Sequence, residues 1–313
     1  MRGALRTARI AAAGAALAVV IWRLGAGPFL EGVRAVDARA LLAATAIGLV
    51  TTACCAWRWT IVAGGLGVPL SVPTAVAAYY RSVFLNLTLP GGVAGDVHRG
   101  VSHGRDAHDV GRALRAVAWE RAAGQVVQAV LTLLVLLVLP SPVRPSMPLV
   151  AGALGAAGVL VLVTGGRRTR SGPTVWTRLR GAIVADARAA LARRDAWPAV
   201  AFASAAVVAG HAVTFLIAAR ATGVTASPWR VLPLALLAML AMVLPSIGGW
   251  GPREGATAWV FGAAGLGADR GAATAVAYGV MVLVAALPGA LVLVAWSLPG
   301  RRLSLLTKGA ADA

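Results

Sequence analysis

The chain contains few charged residues and very few acids. Only 13% of its 313 residues are charged and 11 are acidic, whereas soluble domains carry about 25% charged residues. Hydrophobic residues make up 59%, and several apolar runs approach the length of about 20 residues that a membrane-spanning helix needs. The composition excludes an ordinary soluble domain and predicts an all-α fold, a polytopic helical membrane bundle.

Catalytic and metal-binding motifs are also missing. The two cysteines, Cys54 and Cys55, are adjacent in an apolar run and have neither metal-ligand nor disulfide-framework spacing. His98, His103 and His108 recur every five residues, so they do not share one helix face as metal ligands would. There is no Gly-x-Ser-x-Gly, His-Glu-x-x-His or Walker motif. We therefore predict no metal, no cofactor, no catalytic residues and no enzymatic activity.

The few charges are strongly biased towards arginine. The net charge is +18, and Lys308 is the single lysine among 29 basic residues. Basic residues that flank membrane segments act as topology signals, and we favour this interpretation over nucleic-acid binding. Arginines cluster near the N-terminus, at 99–121, at 165–196 and in the tail. This pattern predicts a multi-pass protein with both termini in the cytoplasm.

The apolar runs divide the chain into two similar halves. Spanning helices are predicted at 5–22, 40–59, 117–139, 148–164, 197–219 and 272–298, and two broken apolar segments at 74–90 and 231–262. That gives six spans, or eight if the broken segments also cross. We treat residues 1–313 as one membrane domain with five parts: an N-terminal helix and amphipathic linker (1–39), a first half (40–164), a basic cytoplasmic loop (165–196), a second half (197–300) and a basic tail (301–313).

Each broken segment carries a proline–glycine motif. Leu-Pro-Gly-Gly occupies 89–92, Leu-Pro-Ser-Ile-Gly-Gly occupies 244–249, and the two prolines are 155 residues apart. Paired broken segments at matching places in two halves indicate a transport site near the membrane midplane. The arginine pattern is satisfied if the two segments enter from opposite faces and return, as in an inverted repeat. The alternative is a pair of spanning helices that kink at proline.

The residues around these motifs predict a polar cavity that binds an anionic head group. The glycines let the backbone turn and expose its amide groups. The second motif begins a new helix, whose N-terminus favours anions, and the arginines supply positive charge. Asp96, Glu120 and Glu254 would balance that charge or bind a counter-ion. The predicted lipid-binding residues are Arg81, Asn86, Pro90, Gly91, Gly92, Asp96, Arg99, Glu120, Arg121, Pro245, Ser246, Gly248, Gly249, Arg253 and Glu254. The alternative is that these charges only cap helices or anchor them at the interface.

The two motifs in their context resemble a known family. Residues 84–99 and 244–255, with Trp57-Arg58-Trp59 and Glu120-Arg121, resemble the transmembrane-domain family of lysylphosphatidylglycerol synthases, also called the flippase-like domain. The resemblance implies a bacterial or archaeal protein of the inner cell membrane, and some members translocate lipids between leaflets. The family's synthase activity belongs to a soluble domain that we do not expect in this chain. Ala94 and Trp250 depart from the family pattern, so the resemblance does not fix the lipid.

Two functions follow as hypotheses. The first is a translocase for lipids or lipid-linked head groups, with anionic or lipid-linked head groups and the membrane itself as partners. The second is an accessory, without transport, to a lipid-modifying or glycosyl-transfer enzyme. Nucleic acid is not expected as a partner, whereas a homo-oligomer or a lipid-modifying enzyme partner agrees with either function. A membrane enzyme is a third reading, and it lacks a nucleophile or metal set.

Overall fold

The computed structural model describes residues 27–89, 92–149, 152–153, 185–186, 189, 196–242 and 250–297. Apart from one short 3-10 turn, Arg144–Ser146, the regular elements named here are α-helices, which confirms the predicted all-α class. They are Gly27–Arg34 (α1), Ala38–Gly65 (α2), Val72–Thr88 (α3), Ala94–Asp106 (α4), Val110–Val138 (α5), Ala196–Ala221 (α6), Pro228–Ala241 (α7), Pro252–Ala263 (α8), Ala268–Ala285 (α9) and Pro288–Ser297 (α10).

Four helices are long and apolar enough to cross a membrane. They are α2, α5, α6 and the run Ala268–Ala295, in which Pro288 begins a new helix after a short turn. These four confirm the spans predicted at 40–59, 117–139, 197–219 and 272–298. Helix α5 begins earlier than predicted because Asp109 caps it, accepting a 2.8 Å hydrogen bond from the backbone amide of Arg112. The spans predicted at 5–22 and, for the most part, at 148–164 lie outside the described residues.

The eight helices from α2 to α9 form two units with the same order. Each unit has a long helix, two short helices and another long helix. Helices α6, α7, α8 and α9 begin 156–158 residues after α2, α3, α4 and α5, respectively. The proline–glycine motifs lie between the two short helices of each unit. The pairing of broken segments that the sequence predicts is therefore part of a four-helix repeat.

The two units are inverted relative to each other. Helices α2 and α6 are counterparts and pack side by side. Arg58, late in α2, donates a hydrogen bond of 2.9 Å to Ser204, early in α6. Gly210, further along α6, lies against Thr51, earlier in α2. The counterpart helices are thus antiparallel, which is the relation that an inverted repeat requires.

The first broken segment folds back on itself as a helical hairpin. Helix α3 ends where Leu89, extended before a proline, leaves helical geometry. Helix α4 then returns along α3, because Asp96 bonds Ser82 and Asn86, and Arg99 lies against Tyr79, one helical turn further back. The first segment is therefore a hairpin and not a continuous span with a kink.

The second broken segment also contains two short helices, α7 and α8. Helix α7 has 14 residues, about 21 Å at 1.5 Å per residue, which is shorter than the roughly 30 Å hydrocarbon core. Helix α8 packs against α7 and begins at Pro252, with Glu254 accepting a 2.6 Å hydrogen bond from the Gly251 amide. This capping matches the helix start that the sequence predicts.

Candidate functional site

Glu120 of α5 is the centre of a buried charged cluster in the first unit. Its carboxylate accepts hydrogen bonds from Arg58 Nε at 2.9 Å and Arg99 Nη2 at 2.6 Å, and from the hydroxyl of Tyr79 at 3.3 Å. The side chain of Glu120 is fully buried. Arg58 Nη2 also contacts the carboxylate. The Arg58 guanidinium packs against Gly124, where the Cβ of any larger residue would lie 2.8 Å from Arg58 Nη1. One carboxylate therefore joins α2, α3, α4 and α5.

Asp96 is the second carboxylate of the cluster. As the third residue of α4, it is near the positive end of the helix dipole. It accepts hydrogen bonds from Arg99 Nε at 3.0 Å and from Ser82 at 3.2 Å. Arg121 Nη2 of α5 lies 2.5 Å from its other oxygen, which Asn86 also bonds at 3.0 Å. Asp96 thus ties the hairpin of α3 and α4 to the long helix α5.

Asn86 bridges the two arms of the first hairpin. Its side-chain oxygen accepts a 2.7 Å hydrogen bond from the Gly95 amide, and its nitrogen donates to Asp96. The Gly95 amide is one of the first in α4 and has no partner within its own helix. Asn86 therefore caps the N-terminus of α4, although it belongs to the preceding helix, α3.

Replacing Asn86 with alanine is expected to lower the free energy of unfolding by about 1–3 kcal/mol, because a part-buried amide and a carboxylate each lose a hydrogen-bond partner. Detergent-solubilised protein titrated with denaturant measures the change. Thr88→Ala on the same helix is the control, since its hydroxyl bonds only the Phe84 carbonyl and is exposed. Equal stability of the two variants would contradict the bridging role of Asn86.

Arg99 is enclosed between aromatic rings. Its guanidinium carbon lies 4.6 Å from the ring centroid of Trp59 and 4.3 Å from that of Tyr79, and none of its side chain is exposed. Such stacking favours arginine over lysine because the planar guanidinium lies flat on a ring while its edge donates hydrogen bonds. Arg99 holds the cluster together and is not among the residues that line the neighbouring cavity.

A smaller charged pair occupies the second unit. Arg253 donates to Glu254 from Nε at 2.9 Å and from Nη2 at 2.5 Å, and both side chains are buried. The guanidinium lies 5.0 Å from the Trp250 ring and 5.5 Å from the Tyr278 ring. Gly279 of α9 leaves room for it, since a Cβ there would lie 2.3 Å from Arg253 Nη2. Trp250 thus provides an aromatic face for Arg253.

The two charged sites occupy equivalent places in the repeat. Asp96 and Glu254 are each the third residue of the helix that follows a break. The position in α9 that matches Arg121 of α5, at the 158-residue offset of these helices, is Gly279. In the first unit Asp96 pairs with Arg99 of its own helix and with Arg121 of α5, whereas in the second unit Arg253 of α8 fills the space that Gly279 leaves. Both units thus have a guanidinium–carboxylate pair at the start of the second short helix.

A cavity of about 310 Å³ lies between the units. Residues of both halves line it, so it belongs to neither unit alone. Its apolar lining includes Met239 and Met242 of the second unit. Its polar lining includes Thr51, Thr52, Arg58, Tyr79, Asn86, Arg121, Gln125 and Gln128 from the first unit and Ser204, His211, Thr214 and Tyr278 from the second. The arrangement offers guanidinium, amide and hydroxyl groups to a ligand inside the helical bundle.

The sequence matches one known protein family over most of its length. Residues 7–305 match the family described as the lysylphosphatidylglycerol synthase TM region. The chain belongs to this family. The match spans nearly the whole sequence and confirms the resemblance predicted from the two motifs. Membership supports a membrane location, and the family's name describes the membrane region rather than aminoacyl transfer. No curated protein is significantly similar to the chain in sequence.

The predicted site residues fall into five groups. Asn86, Gly92 and Arg121 line the cavity, and Asp96, Arg99 and Glu120 form the cluster beside it. Arg253 and Glu254 form the separate pair of the second unit, and Arg81 is buried in α3. The other six predictions lie outside the described residues: Pro90, Gly91, Pro245, Ser246, Gly248 and Gly249. The family motifs thus mark both the cavity and the charged groups that support it.

Several cavity residues were missing from the predicted set. Gln125 and Gln128 are three residues apart, so they share one face of the largely apolar stretch of α5 that follows Arg121. Amide side chains on one face of a spanning helix indicate a protein-facing or water-facing surface, and this signal was available in the sequence. His211, also in the lining, has its Nδ1 2.9 Å from the hydroxyl of Tyr278 at the cavity wall.

Proposed function

We propose that the protein moves lipids or lipid-linked head groups between the leaflets of the cell membrane. The observation that carries the proposal is the cavity between two inverted units, which has Arg58, Arg121 and several amide and hydroxyl groups in its wall. Charged groups are costly in hydrocarbon and persist where they face partners or a wet cavity. A cavity with cationic and amide groups suits the polar head group of a lipid, and the acyl chains of that lipid would remain in the bilayer.

The inverted repeat supports a transport mechanism. In transporters of this architecture, the substrate binds near the midplane at the interface of the repeats, and rocking of one repeat against the other exposes it to each side. Both hairpins would supply the short elements that move. In the orientation we propose, both termini are cytoplasmic, the α3–α4 hairpin enters from the cytoplasm, and the α7–α8 hairpin enters from the opposite face.

A tryptophan that fills the cavity is expected to stop lipid exchange. Gln128→Trp places an indole in the cavity wall, whereas Val130→Trp, two residues along α5, places it on an exposed apolar surface. The purified variants are reconstituted into liposomes, and a fluorescent phospholipid is chemically quenched from outside. We expect Gln128→Trp to reduce the exchange rate by about tenfold or more, which corresponds to a barrier higher by about 1.4 kcal/mol, and Val130→Trp to exchange like the wild type.

This design is preferable to alanine at Asp96 or Arg253. Both belong to buried ion pairs, and breaking such a pair costs several kcal/mol of stability, so lost exchange would also reflect lost folding. If the wild-type protein exchanges no lipid and co-purifies with a lipid-modifying or glycosyl-transfer enzyme, the transport proposal is rejected and the accessory role is supported.

A further inference from the structure

The first-unit cluster carries one more positive than negative charge. Its hydrogen-bonded members are three guanidinium groups (Arg58, Arg99 and Arg121) and two carboxylates (Asp96 and Glu120). Asp96 and Glu120 are at most 9% exposed. An uncompensated charge in a buried site is unfavourable. The cluster therefore favours an additional anion on the side where Arg58 and Arg121 line the cavity.

Arg121 presents this excess charge to the cavity. Arg99 is enclosed by aromatic rings, and Arg58 is 5% exposed and bonded to Glu120 and Ser204. The side chain of Arg121, by contrast, is 41% exposed and lines the cavity. It uses Nη2 for Asp96, and its Nε is buried without a hydrogen-bond partner in the part of the chain that the structure describes. An anion in the cavity would therefore meet an arginine that is only partly neutralised.

The rest of the polar lining is suited to an uncharged body on the head group. Asn86, Gln125, Gln128 and Ser204 offer amides and a hydroxyl, which bond neutral hydroxyl or amide groups equally well. None of the described residues that line the cavity is an aspartate or a glutamate. A cationic head group would thus find guanidinium groups and no carboxylate among the described residues of the cavity wall.

We propose that this cavity selects a head group with a single negative charge, a phosphodiester with an uncharged polar body, and disfavours cationic aminoacylated lipids. The phosphodiester oxygen accepts hydrogen bonds from Arg121, and the amides bind the neutral body. The proposal rests on the proposed function, because it concerns the head group that the transport cavity would carry. It adds the charge and the chemical class of that head group.

Native mass spectrometry of the full-length protein in detergent tests the selection. The protein is incubated with equal amounts of phosphatidylglycerol, phosphatidylethanolamine and lysylphosphatidylglycerol, and one-to-one lipid adducts are counted. Both lipids carry the phosphodiester, but the lysyl group adds positive charge next to Arg58 and Arg121 in the cavity wall. We therefore expect phosphatidylglycerol adducts to exceed lysylphosphatidylglycerol adducts by about tenfold, which corresponds to about 1.4 kcal/mol of like-charge repulsion. Equal binding, or a preference for the cationic lipid, by the wild-type protein would overturn the proposal.

Arg121→Gln identifies the residue that carries the preference. We expect it to remove the preference, while Arg112→Gln retains it, because Arg112 lies on the same helix in an exposed pair with Asp109. An unchanged preference in Arg121→Gln would overturn the assignment to this cavity. A large excess of soluble glycerophosphoglycerol distinguishes a lipid from a free anion: retention of the lipid adduct supports the proposal, and complete displacement overturns its lipid part.

The inference and the proposed function fail in different ways. Selective binding without exchange in liposomes would reject transport and leave the head-group assignment intact. Exchange that is equally fast for anionic and cationic lipids, with equal adduct formation, would retain transport and reject the assignment. The wild-type adduct ratio is informative even if Arg121→Gln does not fold.

Discussion

Glu120→Ala is expected to lower the free energy of unfolding by about 3–5 kcal/mol, among the largest effects of any single substitution in this protein. Its carboxylate pairs with Arg58 and Arg99, and all three side chains are buried. Removing it leaves two guanidinium groups without their shared anion in a site that water does not solvate. The loss exceeds that of a surface ion pair because the desolvation of the arginines is no longer offset.

Denaturant titration of the detergent-solubilised protein, followed by circular dichroism, measures this loss. Asp109→Ala is the matched control, because Asp109 pairs with Arg112 at the exposed start of the same helix, where an ion pair contributes about 1 kcal/mol or less. The cap that Asp109 provides adds a similar amount. If Glu120→Ala were no less stable than Asp109→Ala, the buried cluster would not be a main source of stability.

Gly95→Ala is expected to abolish lipid exchange. A Cβ at Gly95 would lie 2.0 Å from the carbonyl oxygen of Ser82, so the two arms of the first hairpin would have to separate. Both arms carry cluster residues, and Asn86 and Gly92 also line the cavity. Backbone displacement of this kind typically costs about 1–3 kcal/mol, and here it also displaces Asp96 from its arginine partners.

Exchange in liposomes and the thermal midpoint in detergent are measured together for this variant. Gly111→Ala provides the control, since a Cβ there meets no atom closer than 3.6 Å and alanine is the better helix former. We expect the control to keep both exchange and stability. Normal exchange in Gly95→Ala would mean that the close approach of α3 and α4 is not needed for function.

Much of the scaffold is predictable because its causes are local in sequence. The lengths of the apolar runs predict the spans that correspond to α2, α5 and α6. Helix α3 ends before Leu89 because Pro90 sterically disfavours helical geometry in the residue that precedes it. Asp96 and Arg99 are three residues apart on α4, so their 3.0 Å contact follows from helix geometry. The internal repeat is also visible in the spacing of the two motifs.

The charge pairing is not predictable in the same way because it depends on tertiary packing. Arg58 and Glu120 are 62 residues apart, and no periodic pattern in the sequence indicates that the packing of α2 and α5 brings them together. Arg99 was predicted to contact a head group, and the rotation of α4 turns it instead between Trp59 and Tyr79. Arg121, its neighbour in the cluster, lines the cavity because α5 forms one wall of it.

A cryo-electron microscopy structure of the protein in nanodiscs that contain phosphatidylglycerol tests the central claim most directly. The account predicts phosphate density in the cavity between the two units, within hydrogen-bonding distance of Arg121, with the head group beside Gln125 or Gln128. Acyl-chain density against Arg121, or a cavity that is closed to the lipid and has no head-group density, would contradict it.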